Sequence, residues 1–317
     1  MQRLIYFLRP VVKERDHGGK EMTQQLIVDS GCWLPRELLY EHNIIEVPLH
    51  ITSGKEDWLD TVISLREIIE AQKSDRRFTT SQFNPEEAAE VFRKAADAGA
   101  DEILALSLTS LDSGTYDSFC KGANIVREER PDVRIEVVDS FTTSMAHGLL
   151  ALRVAEEMAT GVEFDRVVDF ARYHRWNMLM MAALNTLEFV QASGRAESLK
   201  IRAGSLLKLK ATVILAPNRK IQEYGVHRTM KNACEAMIDT VVDQCRKDRK
   251  GVRLAVVHTD DITGAREVRR LLAEKSLIPQ EAIMLTEASK ALVVHAGPGA
   301  IGIAADCGQP VNWKKRS

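Results

Sequence analysis

Three short segments of this 317-residue chain carry side chains suited to holding an anion. The first is Thr79-Thr80-Ser81-Gln82, the densest hydroxyl cluster, just before Asn84. Its ordinary role would be a polar loop leading into a helix. The second is Thr109-Ser110-Leu111-Asp112-Ser113-Gly114-Thr115-Tyr116. A Ser-Gly-Thr at a strand-to-helix turn points backbone N–H groups outward; Gly114 permits close approach, and Ser113 and Thr115 add donors. Plain N-capping by a hydroxyl is the competing use. The third is His295-Ala296-Gly297-Pro298-Gly299, read as a histidine ending an apolar strand over residues 292–295 and aimed by a stiff turn. Bare backbone at Gly297 and Gly299 lets a ligand or another segment approach closely. Ser113 and His295 together would also suit nucleophilic attack on an acyl group, so a Ser/His acyl hydrolase is the enzymatic alternative.

Composition removes several function classes. A formal charge of -2 lacks the basic excess of a nucleic-acid binder. There is no Walker loop for a nucleotide and no G-x-S-x-G elbow. His258-Thr259-Asp260-Asp261 has no second histidine at ligand spacing, so no metal or other cofactor is expected. Five scattered cysteines, never spaced C-x-x-C, suit reduced thiols in a cytoplasm. The apolar patch Leu4-Ile5-Tyr6-Phe7-Leu8 is too short to span a bilayer and lacks the form of a secretory signal, so no stable membrane insertion is expected.

The elements that must position these residues alternate through the first half. Strands are expected over 25–28, 44–51, 103–108 and 135–138, with helices over 35–42, 84–99, 116–130 and 145–159. Asn84-Pro85-Glu86-Glu87 has the form of a capped helix start, and Gly161 closes the last of these helices. Such alternation predicts a mostly parallel, Rossmann-like sheet, with ligands beyond the carboxyl ends of its strands. Asp29-Ser30, Thr109-Ser110 with Ser113, and Asp139-Ser140 lie at those ends. From about 164 the pattern changes to α+β. An apolar run over 178–184, a hairpin turning at Pro217-Asn218-Arg219-Lys220 and further strands near 254–257 and 282–285 predict a mixed sheet. The expected division is an extension over 1–23, an α/β domain over 24–163 and an α+β domain over 164–317.

Taken in order, these segments resemble the DegV family of bacterial lipid-binding proteins, which includes the fatty-acid-binding subunit of fatty acid kinase. The likeness runs over about residues 26–304. It takes in Val28-Asp29-Ser30 with Leu34-Pro35, Val47-Pro48-Leu49, Thr80-Ser81-Gln82, Ser113-Gly114-Thr115-Tyr116 and Val138-Asp139-Ser140 with Ser144-Met145. It continues through Thr186-Leu187-Glu188 and Gly204-Ser205-Leu206-Leu207 to His295-Ala296-Gly297-Pro298-Gly299-Ala300.

The resemblance implies two domains with a long-chain fatty acid buried between them as the ligand. Its carboxylate would be held by Thr80, Ser113 and His295, supported by Ser30, Ser81, Gly114, Thr115, Gly297 and Gly299. It also implies presentation of that carboxylate to a separate ATP-dependent fatty acid kinase, which makes the acyl phosphate. A lipid-sensing interaction module with no phosphotransfer role is the further alternative. Departures from the family pattern are Phe83 where proline is common, Thr109-Ser110-Leu111-Asp112 where Ser-Ser-Gly-Leu is common, and Ser193-Gly194-Arg195 for Gly-Gly-Arg. Asp112 would place a negative charge beside the carboxylate unless it turns away.

Overall fold

A computed structural model describes residues 13–15, 21–73, 77–192 and 209–312. The extension over 1–23 therefore lies largely outside the described residues, as do Ser193-Gly194-Arg195 and Gly204-Ser205-Leu206-Leu207.

The first half runs β1 (Lys13–Arg15), β2 (Glu21–Asp29), α1 (Arg36–Glu41), β3 (Ile44–Val47), β4 (His50–Ser53), β5 (Glu56–Leu59) and α2 (Leu65–Lys73). It continues through β6 (Thr79–Ser81), α3 (Pro85–Asp97), β7 (Glu102–Ser107), α4 (Thr115–Glu129), β8 (Arg134–Asp139) and α5 (Ser144–Ala159). Strands β3, β2, β7 and β8 form the expected parallel sheet, with Leu26 opposite both Ile44 and Leu104. The short β1 pairs antiparallel with the start of β2. Helix α3 starts as the sequence predicts: Asn84 accepts the N–H groups of Glu86 and Glu87, and the Glu87 carboxylate accepts the Asn84 N–H at 2.7 Å.

The expected single strand over 44–51 divides in two. Pro48 has no N–H to donate to a ladder, and the chain leaves the parallel sheet there. It re-enters as the middle of a separate antiparallel sheet of order β5-β4-β6, in which Ile51 pairs with Trp58 and Thr80. The Thr79–Ser81 segment is thus a strand, although its hydroxyls resemble a loop.

The second half runs α6 (Phe164–His174), β9 (Met178–Leu184), α7 (Glu188–Ala192), β10 (Lys210–Leu215), β11 (Gln222–His227), α8 (Met230–Gln244) and β12 (Arg253–His258). It ends with α9 (Ile262–Ser276), β13 (Met284–Glu287), α10 (Lys290–Ala296) and β14 (Ile301–Asp306). Its sheet has the order β11-β10-β9-β14-β12-β13; β12 and β13 are parallel and the other pairs antiparallel, the mixed sheet expected.

One expectation fails here. Residues 292–295 form helix, not strand, and the strand is β14, six residues further on. A short apolar run has no period to distinguish the two states. Packing against α2, α7 and β6 buries Ala291, Val293, Val294 and Ala296, and Gly297 ends the helix at φ 71°.

Alternation along the strands sorts side chains to opposite faces. Ile27, Ile103 and Ile135 pack under Phe92 of α3 and Phe119 of α4. Leu26, Val28, Leu104 and Leu106 face α5, where they meet Met145 and Leu149. That same core includes Met178, Met180 and Ala304 of the second sheet, whose other face, with Leu179, Met181 and Ile303, packs on α8 and α9. The order is helices, sheet, α5, sheet, helices. Helix α5 is accordingly buried nearly all round, with twelve of its residues inside. The methionine-rich run over 178–181 is core on both of its faces. Among the described residues no helix is long and apolar enough to cross a membrane.

Candidate functional site

Thr80 occupies the centre of β6, where the backbone ladder with Ile51 holds it and strand alternation turns it away from exposed Thr79 and Ser81. His295 lies in the last turn of α10, 215 residues later. Their side chains meet: Thr80 Oγ1 and His295 Nε2 are hydrogen-bonded at 2.7 Å. Both residues are half-buried, so the pair is sheltered without being sealed.

The turn after His295 is fixed from two sides. Gly297 has φ 71° and ψ 172°, a conformation close to exclusive to glycine, and a Cβ there would run into the Phe189 ring of α7. Buried Thr259 braces the turn by donating its hydroxyl to the Gly297 carbonyl at 2.6 Å and accepting the Ala300 N–H at 2.7 Å. Gly299 lies in the same turn, against the Asn185 side chain. In the sequence Thr259 stands only within His258-Thr259-Asp260-Asp261, which has no metal-ligand spacing. Its signal as a brace is visible only once β12 and β14 are paired.

Ser113, Gly114 and Thr115 begin α4, but their hydroxyls are engaged with each other. Ser113 Oγ and Thr115 Oγ1 are 2.9 Å apart, and the Thr115 N–H donates to Ser113 Oγ at 3.3 Å. The His295 ring therefore bonds Thr80, while Ser113 bonds Thr115. Gly114 is covered by the Gln82 amide; a Cβ would stand 2.7 Å from Gln82 Nε2. The 79–82 and 113–115 segments are thus neighbours. Phe83 explains its own departure from the family pattern: it is 1% exposed and meets Phe119 edge-to-face at 4.7 Å, anchoring β6 to α4. Asp112 accepts the Ile221 N–H at 3.2 Å, which ties this loop to the second half.

The other strand-end clusters are used internally. Asp29 accepts the N–H groups of Gly31 and Leu108 at 2.9 and 2.7 Å. Burial nevertheless outweighs these donors and pushes its carboxyl up to about 7. His147, buried beside it at 3.9 Å, is pushed by burial down to about 3 and so stays neutral. Asp139 accepts from the N–H groups of Ser110 and Phe141. Ser30 donates to Asp60 at 2.8 Å and accepts the Leu49 N–H at 2.9 Å, so its hydroxyl braces the path from β3 to β4. Among the described residues no cluster of three His, Cys, Asp or Glu side chains is placed to hold a metal ion.

Apolar side chains lie on α10 and on β4, the elements that carry or flank the Thr80–His295 pair. Trp58 and Phe78, with ring centres 6.0 Å apart, join Leu65 and Leu292 at the edge of the core that contains Ile51, Ile68 and Ile69. A polar pair at the rim of an apolar layer can hold an amphipathic ligand by its head group.

A family model described as "Uncharacterised protein, DegV family" matches residues 23–306. A DegV domain-containing protein of Mycobacterium tuberculosis is 32% identical over 289 residues, spanning 90% of this chain and 98% of that protein. Another from Streptomyces coelicolor is 30% identical over 280 residues, spanning 88% and 96%. A Thermus thermophilus structure described as showing fatty acid binding of a DegV family protein has a TM-score of 0.77 at 26% identity, covering 90% of this chain and 99% of its own. A DegV family structure from Ruminococcus gnavus, refined with vaccenic acid, has a TM-score of 0.78 at 24% identity and covers 89% and 99%.

Proposed function

The chain belongs to the DegV family, and on that premise we propose that it binds a long-chain fatty acid, with Thr80 and His295 holding the carboxylate and Ser113 beside them. The observation that carries this reading is the 2.7 Å hydrogen bond between Thr80 and His295. Two polar side chains from distant parts of the chain converge there at the edge of an apolar layer. The Thermus thermophilus relative, described as binding fatty acid, supports the ligand class.

The physics asks for this kind of site. Burying about fourteen methylenes at roughly 0.8 kcal/mol each contributes on the order of 10 kcal/mol before ordering costs. A carboxylate brought in without partners would offset much of that gain, so it needs donors. The Thr80 hydroxyl and the His295 ring supply them once the ligand oxygen enters between. Ser81, Gly114, Thr115, Gly297 and Gly299 shape the surroundings of these donors. Ser30 supports the site at one remove, through the β3-to-β4 turn. The half-buried head-group end leaves the carboxylate within reach of a second protein, and presentation to a separate ATP-dependent fatty acid kinase is part of this proposal.

Native mass spectrometry of protein purified without detergent should recover a bound species of fatty-acid mass. Thr80→Val and His295→Ala should each weaken oleate binding about tenfold, with the circular dichroism spectrum unchanged. Protein that is repeatedly bare and takes up no added oleate would sink the reading. The hydrolase alternative draws no support from the geometry, because Ser113 is bonded to Thr115 and not to the histidine. Turnover of chromogenic esters, with phosphonate labelling of Ser113, would revive it. A protein that holds lipid while no kinase accepts it would instead be a lipid-sensing module.

A further inference from the structure

We propose that a polar cavity at the seam between the two halves is a second binding site, which takes a small hydroxylated anion. The cavity measures about 230 Å3 and is lined from the first half by Trp33, Arg36, Glu46 and Asp60, and from the second by Ser289 and Lys290. It includes none of Thr80, Ser113 and His295.

Three buried polar atoms at this cavity lack a hydrogen-bond partner, and each has a reason to have found one. Asp60 is 2% exposed; its Oδ2 accepts from Ser30, while Oδ1 has no donor. Trp33 is 7% exposed, and its indole N–H has no acceptor. The Trp33 backbone is left-handed at φ 56°, an uncommon conformation for a bulky residue. Ser289 stands at the N-cap position of α10, where a serine hydroxyl ordinarily bonds the first turn. Here it makes no cap bond, and its buried Oγ has no partner. Native proteins rarely leave such groups unpaired, and three on one cavity mark a place for a ligand's polar atoms.

The charges indicate the rest of the ligand. Lys290 donates to the Thr61 carbonyl at 3.3 Å and lies in the field of Asp60, Glu46 and Glu287, as Arg36 lies in that of Glu46, with no direct ion pair among these described residues. Burial raises the Glu46 carboxyl to about 8, so at neutral pH it is mostly uncharged. Asp60 is the buried anion, and Glu287 is exposed at the rim. A ligand hydroxyl can donate to Asp60 Oδ1 while accepting from Trp33 or Ser289. A carboxylate or phosphate on the same molecule then serves Arg36 and Lys290. The volume is that of roughly eight waters, which suits a skeleton of three or four carbons.

Isothermal titration calorimetry on the full chain tests this with glycerate and glycerol 3-phosphate, the carboxylate and phosphate forms of one hydroxylated skeleton. Glycerol and inorganic phosphate are the controls. One or both hydroxylated anions should bind saturably, about tenfold or more tighter than either control. Whichever binds more tightly names the anionic group. Trp33→Phe, which keeps a ring and loses the N–H, and Lys290→Gln should each weaken binding about tenfold while the melting temperature holds. Thr80→Val should leave it unchanged. No saturable binding up to about 10 mM would overturn the proposal. So would glycerol binding as tightly as the anions, indifference to both cavity variants, or loss of binding in Thr80→Val.

Discussion

The carboxyl ends of β2 and β8 and the junction of β6 with α10 are equally polar in sequence, yet they are built on opposite plans. At the strand ends, Asp29 and Asp139 each accept two backbone N–H groups from loops nearby in the same sheet. These carboxylates hold the loops together and have their capacity filled by the protein. At the junction, Thr80 and His295 arrive from different halves and bond each other in the half-buried rim of an apolar layer. A carboxylate oxygen can take the place of that mutual bond. Polarity beyond the strands of an α/β sheet is therefore an incomplete guide to a site; what separates the two regions is whether the donors already serve the backbone.

The contrast can be broken most forcefully at Asp29. Asp29→Ala strands two buried N–H groups and should lower stability by about 3 kcal/mol, read from a urea midpoint. The oleate affinity of the folded protein should stay as it was. A loss of affinity with little loss of stability would reverse the assignment of the two regions.

Gly297→Ala attacks the other region. The unfavourable backbone conformation and the collision with Phe189 should cost about 2 kcal/mol. Because the end of α10 must shift, oleate affinity should fall further than stability does. Unchanged affinity in a destabilised protein would mean that this turn does not set the histidine.

A further test lies in pH dependence. Asp60 has its carboxyl raised by burial from 3.8 to about 6, so the folded state binds its proton more tightly than the unfolded chain. Its contribution to stability is therefore full below 3.8 and is lost as pH rises through about 6. Asp60→Asn cannot titrate, and it should flatten the decline of the urea midpoint across that window. A slope identical to that of the unsubstituted protein would show that Asp60 ionises freely in the fold.

Much of the frame is legible in the residues themselves. Asn84-Pro85-Glu86-Glu87 announces α3 because capping chemistry is local, and the βα alternation announces the parallel sheet because its periods are local too. The failures are nonlocal. The Leu292-Val293-Val294 run is apolar whichever state it adopts, and only α2, α7 and β6 together select helix. Ile301–Asp306, rich in glycine and alanine, lacks the bulk that marks a strand, yet it lies between β9 and β12. Thr80 and His295 are individually unremarkable in type; the ordered resemblance named them, and the fold shows that they touch. Asp112 is beside the Ser-Gly-Thr motif in sequence, but its destination at the Ile221 N–H depends on a hairpin more than a hundred residues away.

Helix α5 carries a consequence for how the molecule comes apart. Its sequence closes the first half, while its side chains complete the cores of both sheets. Neither sheet can shed it without exposing the apolar face that it covers, so each half is a template on which the other finishes folding. Denaturation should pass through a single cooperative transition with no stable half-molecule, and a chain cut after residue 163 would leave α5 with half of its partners missing and a surface prone to aggregate.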